Sequence, residues 1–97
     1  MSFVQEIIDE LGDGFHLARK ETKTYHRHKG GKMDVVEIDS LFVFEKRLDG
    51  DVISIEVDMI EGVVTGRRER DGELINFAIE RLAVDSAVTK VHDMILI

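Results

Sequence analysis

The sequence predicts an α+β fold: a two-layer sandwich in which two amphipathic helices cover one face of an antiparallel β-meander of three to five strands. Three observations carry that reading. Ile and Val together number 21, against 7 Leu and 4 Ala, and β-branched side chains suit a pleated sheet better than a helix. Asp49-Gly50 separates two runs in which apolar and polar residues alternate, as in a hairpin closed by a type I′ turn. Two other stretches, 3–11 and 74–83, repeat their apolar residues at helical spacing. A length of 97 residues fits one domain spanning 1–97.

The first helix opens the chain. Ser2 is placed to cap it, and Gln5 three residues on completes a capping-box pattern. Phe3, Val4, Ile7, Ile8 and Leu11 make one apolar stripe, while Glu6, Asp9 and Glu10 face the other way. Gly12 is a natural stop, and Asp13-Gly14 turns the chain. Residues 15–28 read as a strand on Thr22, Thr24 and Tyr25, although charges interrupt the alternation. Gly30-Gly31 turns it back. Residues 33–47 form the strongest strand, with Val36, Ile38, Phe42 and Phe44 on one face and Ser40 between them. Residues 52–61 return as the next strand.

The Asp49-Gly50 turn fixes a register. Leu48 faces Asp51, Lys46 faces Ile53, Phe44 faces Ile55, Phe42 faces Val57 and Ser40 faces Met59. One face then collects Phe42, Phe44, Ile53, Ile55, Val57 and Met59. The other collects Glu37, Asp39, Glu45, Ser54, Glu56 and Asp58, with Leu41 and Val43 among them. A slip of one residue scatters both sets.

Gly62 and Gly66 bracket Val63-Val64-Thr65, expected as a short strand that ends or bends at Gly66. Asp71-Gly72 offers a second hairpin, but that hairpin sets Arg68 opposite Ile75. The spacing of Leu74, Ile75, Ala78, Ile79, Leu82 and Ala83 instead predicts a helix that starts at Asp71 or Gly72. In the tail, Val88, Val91, Met94 and Ile95 suit a helix and Met94-Ile95-Leu96-Ile97 suits a strand. The expected element is a strand that returns onto the sheet.

Composition excludes several classes of function. Thirteen basic and 20 acidic residues give a net charge of −7, which argues against a general nucleic-acid binder. No run of 18 apolar residues occurs, so no membrane span is expected. No charged-then-apolar leader opens the chain, so the expected location is cytoplasmic. Without cysteine there is no disulfide, thiolate metal site or cysteine nucleophile. A single Asn and a single Gln beside abundant Glu, Arg and Ile point to a heat-adapted source. No phosphate-loop or dinucleotide pattern and no Ser/His/Asp set can be placed, so no cofactor is expected.

The charge is unevenly spread. Residues 19–32 hold six of the 13 Lys and Arg against the single Glu21, so they carry +5 and the other 83 residues carry −12. Arg19, Lys20, Lys23, Arg27, Lys29 and Lys32, with Tyr25 and Gly30-Gly31, are candidates for a phosphate or RNA surface. Arg67, Arg68 and Arg70 support it, just ahead of the expected second helix. The plainer reading is a charged edge strand that resists aggregation, and arginines that pair locally. His26 and His28 share one face of a strand and resemble two metal ligands, but a third has to arrive from His16 or His92. Two exposed strand histidines are the plainer reading. Glu37, Asp39, Glu56 and Asp58 suggest acid–base work or a hard cation, against a simply solvated sheet face. Leu41 and Val43 stand as an apolar island on that acidic face and are the candidate dimer contact.

The expected function is that of a small non-enzymatic module acting through its surfaces, as a homodimer. Two alternatives stand beside it: an RNA- or phosphate-binding domain using the 19–32 segment, and a small enzyme using the carboxylates and histidines.

Overall fold

The computed structural model describes residues 2–12, 14–78 and 84–95. Three two-residue turns build its sheet. Gly30-Gly31, Asp49-Gly50 and Asp71-Gly72 all have φ between 50° and 85°. They are closed by the pairs Lys29–Lys32, Leu48–Asp51 and Arg70–Glu73. Positive φ at both central residues gives a turn whose twist matches that of the flanking strands. The fourth turn is longer. Asp58 Oδ1 accepts the backbone N–H groups of Ile60 (3.0 Å) and Glu61 (2.9 Å), and Gly62 N–H donates to Asp58 O at 2.9 Å.

The result is an α+β protein: a helix, five antiparallel strands and a second helix. Helix α1 spans Phe3–Leu11 and is followed by β1 (His16–Lys29), β2 (Lys32–Leu48), β3 (Asp51–Asp58), β4 (Val63–Arg70), β5 (Glu73–Ala78) and α2 (Asp85–Ile95). The strands lie side by side in chain order. No helix among the described residues is long and apolar enough to cross a membrane.

The β2–β3 register is the one the Asp49-Gly50 turn predicts, from Leu48–Asp51 to Phe42–Val57. Met59 N–H donates to Ser40 O at 2.9 Å just beyond it. Lys46 falls on the apolar side of the hairpin, and its ammonium sits 4.8 Å from the centre of the Phe15 ring, a favourable place for a cation. The core forms where the register puts the largest side chains. Phe44 and Val57 are fully buried, and Ile55, Phe42, Met59, Ile7, Leu11 and Val84 join them in one cluster. Phe3 of α1 meets Phe42 with ring centres 5.3 Å apart and planes tilted by 58°, a preferred aromatic geometry. At the start of α1, Ser2 Oγ accepts the Gln5 N–H at 3.2 Å. The reciprocal half of the capping box is not made, because Gln5 Nε2 donates to Asp9 Oδ1 at 2.9 Å instead.

Four expectations are corrected. The predicted second helix begins with a strand: β5 occupies Glu73–Ala78, while its remaining positions, 79–83, lie outside the described residues. The hairpin at Asp71-Gly72 forms, and Arg68 does pair with Ile75. That pairing is tolerated because the Arg68 guanidinium is neutralised by Asp51 and Ile75 remains 52% exposed. In place of the returning strand at the C-terminus stands helix α2, started by Asp85, with Val84, Ala87, Val88 and Val91 packed on the core; positions 96 and 97 of that expected strand lie outside the described residues. Gly66 does not end the strand, since β4 runs through it opposite Ile55 and Phe77.

The fourth correction concerns faces. Glu21 pairs with Leu41 and Thr22 with Asp39, so Ser40 is an extra residue on β2. Such a bulge re-aims the side chains beyond it. The pairing of β2 with β3 ends at Leu41–Asp58. Residues Lys32–Asp39 therefore pair with β1 alone and continue as a two-stranded ribbon, in a molecule 56 Å long and 19 Å thick.

Candidate functional site

The basic segment runs along one edge strand and across the turn that follows it. Arg19, Lys20, Lys23, Arg27 and Lys29 lie along β1, and Lys32 opens β2 across the Gly30-Gly31 turn. Arg19 lies 3.8 Å from Glu21, Lys20 lies 3.7 Å from Asp39, and Arg27 lies 3.8 Å from Asp34. The first two pairs are exposed and add little stability, Arg27 is half-buried, and each pair puts a carboxylate beside a cation a phosphate would need. Arg27 also donates from Nη1 to Met94 O at 2.9 Å, which ties β1 to the end of α2. Lys23 borders a small depression with Leu41, Asp58 and Glu61.

Arg67, Arg68 and Arg70 are strand residues rather than a helix approach, and they diverge. Arg67 lies 3.4 Å from Glu56 and borders an open groove with Arg19, Val43, Glu69 and Leu74. Arg68 and Arg70 converge on Asp51, which is only 5% exposed. Arg68 Nε donates to Asp51 Oδ2 at 2.7 Å, and Arg70 donates to the same oxygen from Nε (3.1 Å) and Nη2 (2.9 Å). The hydrogen bonds from Arg70, then those from Arg68, hold the Asp51 carboxyl below its ordinary 3.8, and the carboxylate in turn raises Arg70. A carboxyl whose folded pKa is lowered stabilises the fold above its unfolded value and loses that contribution as the pH falls through the folded value. Asp51→Asn is therefore expected to be less stable than the parent protein at neutral pH. Urea titrations should show the gap closing as the pH drops below 3.8; a gap that does not change with pH rules out this cluster as the source.

His26 and His28 remain neighbours on β1. His26 pairs across the ribbon with Val35 and His28 with Met33, all four exposed, and His16 pairs with Glu45. His92 Nε2 lies 2.7 Å from Ile60 O, far along the chain from the other three. Among the described residues, no three His, Asp or Glu side chains gather as a metal set. The four carboxylates are also divided. Glu56 borders the open groove and Asp58 the small depression, whereas Glu37 and Asp39 lie beyond the Ser40 bulge. Val43 is buried within its own chain at 7% exposure, and Leu41 is half-buried.

The feature that does collect residues from several elements is a cleft of about 440 Å³ between α1, β2 and α2. Its apolar floor comes from Ile7, Ile38, Phe42 and Met59, each at most 4% exposed. Glu6 and Glu10, one helical turn apart on α1, and Glu37 and Asp39 of β2 stand around it. Lys90 of α2 is the one cation at its border among the described residues.

No protein-family model, curated protein or solved structure matches this chain. The functional reading therefore rests on geometry and charge.

Sequence reasoning missed this cleft because one of its walls is α2, where a strand is expected. A signal for it is present. Val84, Val88, Val91 and Ile95 recur at i, i+4, i+7 and i+11 behind the helix-starting Asp85. The bulge that turns Glu37 and Asp39 to the cleft has no such signal, since Ser40 is compatible with a regular strand.

Proposed function

We propose that this chain is a non-enzymatic interaction module that pairs with a second copy of itself through the edge of β5. The contrast between its two sheet edges carries the reading. β1 bears Arg19, Lys20, Lys23, Arg27 and Lys29, and a charged edge discourages the addition of another strand. β5 bears one charge, Glu73 at its first position, and no Lys, Arg or Pro. Its Leu74 and Ile75 are 65% and 52% exposed. An unprotected apolar edge is a template for strand addition. Antiparallel pairing of β5 with its own copy about a two-fold axis is self-limiting and joins two sheets into one. The contact surface in this reading is β5, because most of Val43 is already covered.

We infer as well that α1 and α2 together form the second layer of a two-layer sandwich. Ile7, Leu11 and Val84 packing with Phe42 and Phe44 in one cluster supports it. An RNA- or phosphate-binding role has less support. Arg19, Lys20, Arg27, Arg67, Arg68 and Arg70 each lie within 4 Å of a carboxylate of the same chain.

Sedimentation velocity over a wide concentration range tests the pairing. The parent protein should sediment as a dimer. Leu74→Lys should be a folded monomer, since Leu74 pairs with Glu69 within the chain and a cross-strand Glu–Lys pair is favourable. A parent protein that stays monomeric at every concentration, or a dimer that survives Leu74→Lys, overturns the reading.

A further inference from the structure

We propose that the cleft between α1, β2 and α2 binds a small organic cation with an apolar tail. This goes beyond the pairing at β5 and does not depend on it, because none of the described residues that border the cleft belongs to β5.

Shape and charge argue it together. A volume of about 440 Å³ falls within the range of small-molecule sites. The cleft is open to solvent on one side, and its accessible apolar lining is Phe3, Ala87, Val91 and Met94, over the buried Ile38, Phe42 and Met59. An apolar tail entering there removes its own surface and that of these half-buried and exposed side chains from water together. The border chooses the head group. Glu6, Glu10, Glu37 and Asp39 outnumber Lys90 four to one, and Lys20 offsets Asp39 only through a contact of 3.7 Å that is exposed on both sides. An anionic head meets net repulsion at this border and an ammonium meets net attraction. The carboxylates come from two elements, Glu6 and Glu10 from α1 and Glu37 and Asp39 from β2, so a cation seated between them is approached from both walls. Of the basic segment, Lys20 reaches only Asp39, and Arg27, which bonds Met94 O at the rim, has its own counter-ion in Asp34, so Glu6, Glu10 and Glu37 are left to a ligand.

The test uses three probes with the same eight-carbon tail: octylammonium, 1-octanol and octanoate. Chemical shifts of the isotope-labelled protein are followed during each titration. Octylammonium should shift the amides around Phe42, Met59 and Val91 and bind more tightly than octanol, with octanoate weakest. Raising the salt should weaken the ammonium and leave octanol unchanged, since screening acts only on the charged head. Glu10→Gln with Glu37→Gln changes two exposed side chains and preserves the fold. It should lower octylammonium affinity about fivefold to tenfold, the size expected of two partly screened charge contacts, and leave octanol unaffected. Equal binding of the three probes, tighter binding of octanoate, shifts confined to the Gly30-Gly31 end of the ribbon or to the outer groove, or no shifts at all would overturn the proposal.

Discussion

Phe44→Ala is expected to remove about 3–5 kcal/mol of folding stability. Phe44 is fully buried. It lies across from Leu17 on β1 and Ile55 on β3, and its ring is 6.4 Å from that of Phe42. Truncation removes the buried ring and leaves a cavity, and both neighbouring strands are held by backbone ladders that limit collapse into it. Small domains have about 5–15 kcal/mol in total, so the variant should sit near the edge of folding. Chemical denaturation measures the loss as a lower midpoint with an unchanged slope. A loss under about 1 kcal/mol, the scale of an ordinary surface substitution or less, would mean that the sheet does not pack around this residue.

The same residue shows what the sequence makes legible. Phe42, Phe44, Ile55 and Val57 are brought together by a turn of two residues and a period of two, both local features. Helix α1 is legible for the same reason, with its cap and stripe contained in eleven residues. Legibility fails where a distant partner decides. The Asp71-Gly72 hairpin looks unfavourable because it sets Arg68 against Ile75, and only the approach of Asp51, 17 residues away, neutralises that arginine. The apolar spacing after Gly72 fits either a helical stripe or an edge strand with both faces half-open, and the turn chemistry decides for the strand. The cleft fails on both counts. It needs α2 to be a helix and β2 to carry a bulge at Ser40, and its acidic residues come from opposite ends of the first 39 positions. The basic stretch at 19–32 is visible at once as a charge excess. Its partners Asp34 and Asp39 follow it within the next ten residues, and antiparallel pairing brings them back alongside it.

Ile38→Ala carries the second large effect, about 2–5 kcal/mol for a buried large-to-small change, with a different signature. Ile38 is 2% exposed yet stands outside the cluster around Phe44. It lies on the ribbon, beyond the last pair that β2 makes with β3, and it borders the cleft beside Lys90 and Val91 of α2. The sheet around Phe44 does not need Ile38, because its strands are joined by the Asp49-Gly50 and Met59–Gly62 turns and packed on their own apolar face. The residues Ile38 shares the cleft wall with include Ala87, Lys90, Val91 and Met94 of α2, and Arg27 ties the same ribbon to Met94 O, so α2 and the ribbon are where its loss should be felt. Regions with few buried apolar contacts open at lower cost than the rest of a domain. Hydrogen exchange in Ile38→Ala should therefore accelerate most in α2 and in the ribbon, and less in β3 and β4. In Phe44→Ala it should accelerate throughout. Uniform acceleration in both variants would show that the ribbon and the main sheet unfold as one unit, and α2 would then be held by the whole core rather than by a single isoleucine.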